Sequence, residues 1–312
     1  MIEIEGVGKS FNGLTAVDDI TMTINAHEFV TIVGMSGSGK TTLLRMINRL
    51  VELDRGTIRI DGVDNRNVPG PELRRSMGYV IQQHGLFPHR TVAENIATVP
   101  RLLGWDRRRI KARVDELLLL FQLEPEVYGP RYPHELSGGQ QQRVGVGRAL
   151  AAQPNILLMD EPFGALDPII RNKAREDLLA IQKRLGTTIV MVTHDMEEAL
   201  ALGNRIAVMD AGKLIQYADP AEVLRYPASA FVESLVGKAE RPFRLLSFSR
   251  VADIMEAGPA EGPAVCSDLS LRDALAEMLW HGASSLPVAD GNGDLLGRIT
   301  LEALTRNGAG PG

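Results

Sequence analysis

The sequence predicts an α/β protein: a largely parallel sheet, a mostly helical subdomain, and a second, smaller α/β domain toward the C-terminus. Three observations carry this. Short apolar runs rich in β-branched residues, "EFVTIVG" (28–34), "NILLMDEP" (155–162) and "TTIVMVTHD" (187–195), have the length and texture of strands buried on both faces. The last two each follow a helical stretch, and strands alternating with helices assemble into parallel sheets. The stretch 85–153 is mostly helical in pattern and reads as a subdomain.

Taken in order, residues 1–236 form one domain. "TTLLRMINRL" (41–50) has helical spacing, and "TIRIDG" (57–62) alternates and ends in a turn signal, as a strand does. "RRRIKARVDELLLLFQL" (107–123) puts Ile110, Val114, Leu117, Leu118 and Phe121 on one helical face and leaves Arg107, Arg108 and Lys111 off it, in water. Composition shifts at Gly237, where "GKAERPFRLLSFSR" loses periodicity and contains Pro242, so residues 237–248 read as a linker. Residues 249–306 show a small α/β pattern. A strand at Ala264–Cys266 precedes a helix with Leu271, Leu275, Met278 and Leu279 on one face. The strands "SSLPVA" and "LLGRIT" follow, joined by the turn "DGNGD". The tail 307–312, "NGAGPG", reads as disordered.

Bulk properties narrow the function classes. A chain of 312 residues suits about two domains, and 44% hydrophobic against 23% charged residues suits a sizeable core. The net charge of -5 argues against a non-specific nucleic-acid binder. Cys266 is the single cysteine and has no internal disulfide partner. The start, "MIEIEGVGKSF", lacks the apolar core of a signal peptide, and no apolar run reaches the ~18 residues of a membrane span. If the chain works at a membrane, another protein must hold it there.

"GMSGSGKTT" (34–42) matches a phosphate-binding loop, preceded by a buried strand and followed by a helix. Gly34, Gly37 and Gly39 let backbone N–H groups, with those of Ser36, Ser38 and Thr42, wrap phosphates; Lys40 reaches the β and γ phosphates and Thr41 ligates Mg²⁺. Asp160 ends an apolar strand, suited to hold the metal, and Glu161 follows it, suited to orient or deprotonate a water. His194 and Gln82 end two further strands, where ligand crevices of parallel sheets open; His194 suits a γ-phosphate contact and Gln82 suits sensing of Mg²⁺ and water. Phe11 reads as core or as a platform for a base. One further stretch, "HELSGGQQQRVGVGRAL" (134–150), offers Ser137, Gly138, Gly139 and Gln140 at a helix start, an anion-binding arrangement, yet has no lysine or second carboxylate beside it.

Together these pieces resemble the nucleotide-binding subunit of ABC transporters, over about 1–236. The phosphate loop, Gln82, "LSGGQ", "LLMDEP", "ALD" (165–167) and His194 stand in that family's order. The resemblance implies an ABC-type P-loop NTPase fold with a helical subdomain, and ATP with Mg²⁺ as cofactors, the metal held through Thr41, Gln82 and Asp160. It implies hydrolysis with Glu161, His194 and Gln82 in the catalytic set, and adenine stacking on Phe11. It also answers the puzzle of the second glycine turn. In that family two cassettes pair head to tail, and Ser137–Gln140 would cap the γ-phosphate held by the partner, with Asp167 near the same interface. Implied partners are a second ATPase subunit, integral membrane permease subunits and, indirectly, a substrate-binding protein, with the chain peripheral at the cytoplasmic face of the cell membrane. The segment "QQHGLFPHRTVAENIATVPRLLGW" looks most like cassettes for glycine betaine, choline and proline betaine uptake. The segment from about Ser249 to Arg306 resembles one CBS repeat. Its Thr300 matches a nucleotide-binding position, but Ala303 stands where an aspartate would hold ribose, so tight AMP binding is not expected and ionic strength is the expected signal if the module regulates. A single repeat is expected to pair with that of a second copy. Two alternatives stay open: an importer cassette for another small polar solute such as an amino acid, and a soluble ABC ATPase acting on nucleic acid or ribosomes. Against the latter stand the one cassette, the lack of a long heptad run and the negative charge.

Overall fold

The computed structural model describes residues 1–82, 85–164 and 166–308. Gln83 and His84 of the glutamine segment, Ala165 of "ALD", and residues 309–312 of the expected tail lie outside the described residues. The chain divides into two compact units, Met1–Pro220 and Ala221–Gly312.

The first unit holds two sheets. β1 (Ile2–Phe11), β2 (Leu14–Ile24), β4 (Arg55–Ile60) and β5 (Val63–Asp64) form an antiparallel sheet in the order β2-β1-β4-β5. β3 (Phe29–Val33), β6 (Met77–Val80), β7 (Ile156–Asp160), β8 (Thr188–Thr193), β9 (Arg205–Asp210) and β10 (Lys213–Ala218) form the other, ordered β10-β9-β3-β8-β7-β6. It is parallel except for β10 against β9. Period-two alternation divides each central strand between two cores. Val30, Ile32, Leu158, Val190 and Val192 pack with Ile2, Ile4, Leu43 and Leu44 toward the antiparallel sheet. Phe29, Leu157, Met159, Ile189 and Met191 pack with Val114, Leu117, Leu118 and Val144 of the helical region.

The helical region contains Val92–Ile96, Thr98–Leu102, Arg107–Leu120, Pro125–Tyr128 and Gly138–Leu150. Asp106 caps the third of these by accepting from the Arg109 N–H at 2.9 Å. Val114, Leu117 and Leu118 are buried as the spacing predicts, while Arg107, Arg108 and Lys111 lie in water. Arg113 departs from the simple two-face picture: it is buried and donates to the Leu150 and Ala151 carbonyls at 2.9 and 3.3 Å.

The second unit has a three-stranded sheet in the order β11 (Val265–Cys266), β12 (Ser285–Ala289), β13 (Leu295–Thr300). β11 and β12 are parallel, β12 and β13 antiparallel, with helices Leu271–His281 and Leu301–Gly308 completing a β-α-β-β-α order. Three details differ from the sequence reading. The segment taken as a linker folds into helix Arg241–Leu245 and a single 3₁₀ turn, and its Leu246 joins this unit's core with Val251, Met278, Leu286 and Ile299. Asn307 and Gly308 of the expected tail close the last helix. On helix Leu271–His281 the buried face is Leu271, Ala274 and Met278, whereas Leu279 is 69% exposed. At ~100° per residue Leu279 lies about 80° around the helix from Leu271, on the rim of the stripe.

Leu158 has no exposed surface and belongs to the core that also holds Leu43, Leu44 and Ile47 of helix Lys40–Ile47. Leu158→Ala is expected to cost about 3 kcal/mol. Urea unfolding followed by tryptophan fluorescence and circular dichroism should show a lower midpoint for the first unit.

Candidate active site

Three parallel strands end at one level. Val33 pairs with Thr193 and Asp160 with Val192, so the residues that follow each strand meet at one edge of the sheet. There they line a cavity of about 440 Å³ whose wall includes Ser36, Gly37, Gly39, Lys40, Thr41, Thr42, Gln82, Glu161 and His194, with Ala16 from β2.

The phosphate loop is held by its own lysine. Lys40 Nζ donates to the Gly34 and Met35 carbonyls, both at 2.8 Å, and to Ser38 Oγ at 3.4 Å. Burial pushes the Lys40 ammonium below its ordinary pKa, while the Glu161 and Asp160 carboxylates push it back up. Gly39 has φ +94°, and a Cβ there would lie 2.1 Å from the Ala16 carbonyl oxygen. The residue must therefore be glycine for two separate reasons, conformation and space.

Asp160 is 2% exposed, so its carboxylate depends on its partners. Thr41 Oγ1 donates to its Oδ1 at 2.8 Å and Arg45 Nη2 to its Oδ2 at 3.3 Å. Thr41 and Arg45 stand four residues apart on one helix face, which is why both reach one carboxylate. Arg45 was not among the residues singled out from sequence, though this spacing is its signal.

Glu161 adopts φ +46°, uncommon for a residue with a side chain. Its N–H donates to Val192 O at 3.0 Å and so prolongs the strand pairing. The turn aims its Oε2 into the cavity, 3.2 Å from both Gln82 Nε2 and His194 Nδ1. The residues on either side of His194, Thr193 and Asp195, belong to a partly buried polar brace. Thr193 Oγ1 donates to Glu198 Oε2 at 2.6 Å, and Arg175 Nη2 bridges Glu198 at 2.9 Å and Asp195 at 3.2 Å. This brace was not foreseen, because its members are spread over two helices and a strand.

Phe11 ends β1, 46% exposed and 5.3 Å below the Lys9 ammonium, so it is not core. Asp167 Oδ1 accepts from the Ile170 N–H at 3.1 Å at the start of helix Pro168–Leu185. Ser137–Gln140 line no part of the cavity. Ser137 is the N-cap of helix Gly138–Leu150, its Oγ accepting from Gln140 N–H at 3.4 Å while Gln140 Oε1 accepts from Ser137 N–H at 2.9 Å. The helix begins at Gly138, the first of the glycine pair. Gly139 is tightly packed: a Cβ would sit 2.6 Å from Ile170 Cγ2.

A family model described as "ABC transporter" matches residues 17–164. The glycine betaine uptake system ATP-binding protein YehX of Escherichia coli is 48% identical over 97% of this chain and 99% of its own length. The chain belongs to the ABC transporter family. It is the ATP-binding, ATP-hydrolysing component of such a system. The glycine betaine/carnitine/choline transport ATP-binding protein OpuCA of Bacillus subtilis is 46% identical over 98% of this chain and 80% of its own length. Among solved structures, a dimeric post-hydrolysis state of the ATP-binding cassette MJ0796 bound to ADP and Pi superposes with a TM-score of 0.63. That likeness has 32% identity and covers 70% of this chain and 99% of that one.

Gly39→Ala is the sharpest test of the loop geometry. It is expected to cost about 2 kcal/mol or more in stability and to weaken ATP binding by at least about tenfold. Isothermal titration with ATP and thermal unfolding measure the two effects.

Proposed function

We propose that this cassette powers a membrane importer of quaternary ammonium osmoprotectants such as glycine betaine, choline or proline betaine. The observation that carries the substrate class is the extent of the likeness: the match to the glycine betaine uptake relative runs through both units, across 97% of the chain. Reconstituting the chain with its membrane and binding subunits in proteoliposomes tests it. Labelled glycine betaine or choline should accumulate with ATP and raise ATP turnover. Stimulation by an amino acid alone would assign a different cargo.

Mg²⁺ suits the site. Thr41 Oγ1 and Asp160 Oδ1 are hard oxygens 2.8 Å apart beside the cavity. No group of three or more histidine, cysteine or acidic side chains that could hold a metal ion exists among the described residues, so phosphate oxygens and waters would complete the shell, as this ion prefers. Bound there with a contribution from Gln82, it would neutralise β- and γ-phosphate charge. The remaining work falls to the chain. Lys40 exchanges carbonyl partners for phosphate oxygens, and the N–H groups of the loop cradle the anion. Phe11 stacks on adenine. Glu161 Oε2, flanked by Gln82 and His194, orients a water and takes its proton as the water oxygen bonds to the γ phosphorus. The bond to the bridging oxygen breaks, and ADP and phosphate leave. His194 faces the γ-phosphate.

Ser137–Gln140 serve the ATP of a second copy in a head-to-tail dimer, with Asp167 at the same interface. Membrane subunits dock on the helical region, where a groove of about 830 Å³ is lined by Ala97, Trp105, Ile110 and Val114. No helix among the described residues is long and apolar enough to cross a membrane. The cassette is held at the cytoplasmic face by those partners. The β-α-β-β-α order of the second unit supports a CBS-type repeat. Thr300 Oγ1 accepts from the Ala303 N–H at 3.2 Å, and no carboxylate stands at position 303 to take a ribose. The unit pairs with its copy rather than binding AMP. Of the apolar face expected to drive this, Leu271 and Met278 are consumed by the unit's own core and Leu275 packs against it; Leu279 remains outside, next to the exposed Trp280.

Two variants separate the roles. Glu161→Gln keeps shape and ATP binding but is expected to lower turnover at least about a hundredfold and to trap an ATP-bound dimer, read by size-exclusion chromatography. Ser137→Arg should leave monomer affinity for ATP within about twofold while blocking closure, despite losing a cap worth about 1 kcal/mol. Mixed with Lys40→Ala chains it should regain part of the ATPase activity, because one intact composite site then exists.

A further inference from the structure

Phe11 stands at the tip of a hairpin, where little of the fold surrounds it. Asn12 and Gly13, with φ +49° and +82°, make the two-residue turn between β1 and β2, and Phe11 pairs with Leu14 across it. Leu14 is 78% exposed, so the tip itself has no apolar cover. The same hairpin reaches the phosphate cavity. Lys9 pairs with Val17 and Ser10 with Thr15, which leaves Ala16 as a bulged residue, and Ala16 lines that cavity.

What steadies the tip is one carboxylate. Lys9 and Phe11 are two residues apart on β1 and share a face, with the ammonium 5.3 Å from the ring centre, inside the range of a cation–π contact. Asp54 Oδ1 accepts from Lys9 Nζ at 2.6 Å, and Asp54 Oδ2 accepts from the Ser10 N–H at 2.7 Å. The Asp54 N–H donates in turn to the Gly8 carbonyl at 2.9 Å. The three residues before Phe11 are thus all tied to Asp54, just ahead of β4. Lys9 and then Ser10 hold the Asp54 carboxyl below its usual range. Neither Lys9 nor Asp54 lines the phosphate cavity.

We propose that Lys9 and Asp54 are positioning residues for the nucleotide base: Asp54 holds the Lys9 ammonium against the Phe11 ring and fixes that ring for stacking. This rests on the reading that adenine stacks on Phe11. The ammonium draws π density toward itself, which leaves the ring less repulsive to an electron-rich base on its exposed side. A ring already clamped loses less rotamer freedom when the base arrives. A pair that only staples the hairpin would weaken every ligand of the cavity alike. A pair that serves the base acts on ATP and spares the phosphates.

The test titrates the full chain with ATP and with inorganic tripolyphosphate, in the presence of a chelator so that no turnover intervenes. Lys9→Met should weaken ATP about three- to fivefold, the worth of an exposed cation–π contact, and leave tripolyphosphate within about 1.5-fold. Asp54→Ala should do the same, and the double variant should lose less than the product of the two, as members of one unit do. Lys9→Arg, which keeps a cation over the ring, should recover most of the loss. In a Phe11→Ala background Lys9→Met should no longer change ATP affinity; this comparison needs only ATP and stands where tripolyphosphate binds too weakly to titrate. Unchanged ATP affinity in Lys9→Met would overturn the proposal. So would an equal loss for ATP and tripolyphosphate, or a loss that persists without the ring, since either marks a staple of the hairpin. A Phe11→Ala chain that binds ATP as tightly as the parent would instead bring down the stacking reading, and the positioning role with it.

Discussion

The parallel register of β3, β7 and β8 is the constraint on which the site depends. These strands are buried on both faces, each alternating between two cores, so a slip of one residue would exchange every side chain between unlike environments. It would also move Asp160 by about 3.3 Å relative to the phosphate loop, breaking its bond to Thr41. Because Val33 aligns with Thr193 and Asp160 with Val192, the phosphate loop, the Asp160 carboxylate, Glu161 and His194 emerge side by side. Apolar packing thus positions charged chemistry, and the site needs no motion of the sheet to assemble.

Around that fixed edge the polar groups are held in provisional bonds. Lys40 rests on carbonyls of its own loop, and Glu161 rests on Gln82 and His194. Each of these partners is one that an incoming phosphate or water can replace. The brace of Thr193, Glu198, Asp195 and Arg175 behaves differently. It is largely withdrawn from water and ties the strand end to the two helices beside it. The LSGGQ segment follows a third pattern. Ser137 and Gln140 satisfy each other in a capping box, while a Cβ at Gly139 would meet the Ile170 side chain at 2.6 Å. It is a finished helix start that lines no part of the cavity at Lys40.

Legibility in the sequence followed locality. The phosphate loop, Asp160–Glu161 and the buried strands were readable because each is a continuous run whose pattern is its structure. β1 and β2 were not. Bulges between Ile4 and Val7 and between Lys9 and Ser10 break their alternation, so the apolar residues fall out of phase although Ile2, Ile4, Val7 and Ile20 are all buried. The stretch 237–248 looked like a linker because Leu246 is buried with Met278, Leu286 and Ile299, distant in the chain, not by a stripe of its own helix. Leu279 looked buried because spacing alone does not mark where a stripe ends.

The sequence by itself determined the reaction class. Lys40, Thr41, Asp160 and Glu161 are specified by local backbone shape and charge, which short motifs encode. Only the tertiary structure decided what holds them. The Arg45 and Thr41 grip on Asp160, the brace behind His194, the Ala16 carbonyl that forbids a side chain at Gly39, and the reach of Arg148 to Gly85 all join groups brought together by packing. Such pairings depend on distance in space, which no run of neighbouring residues records.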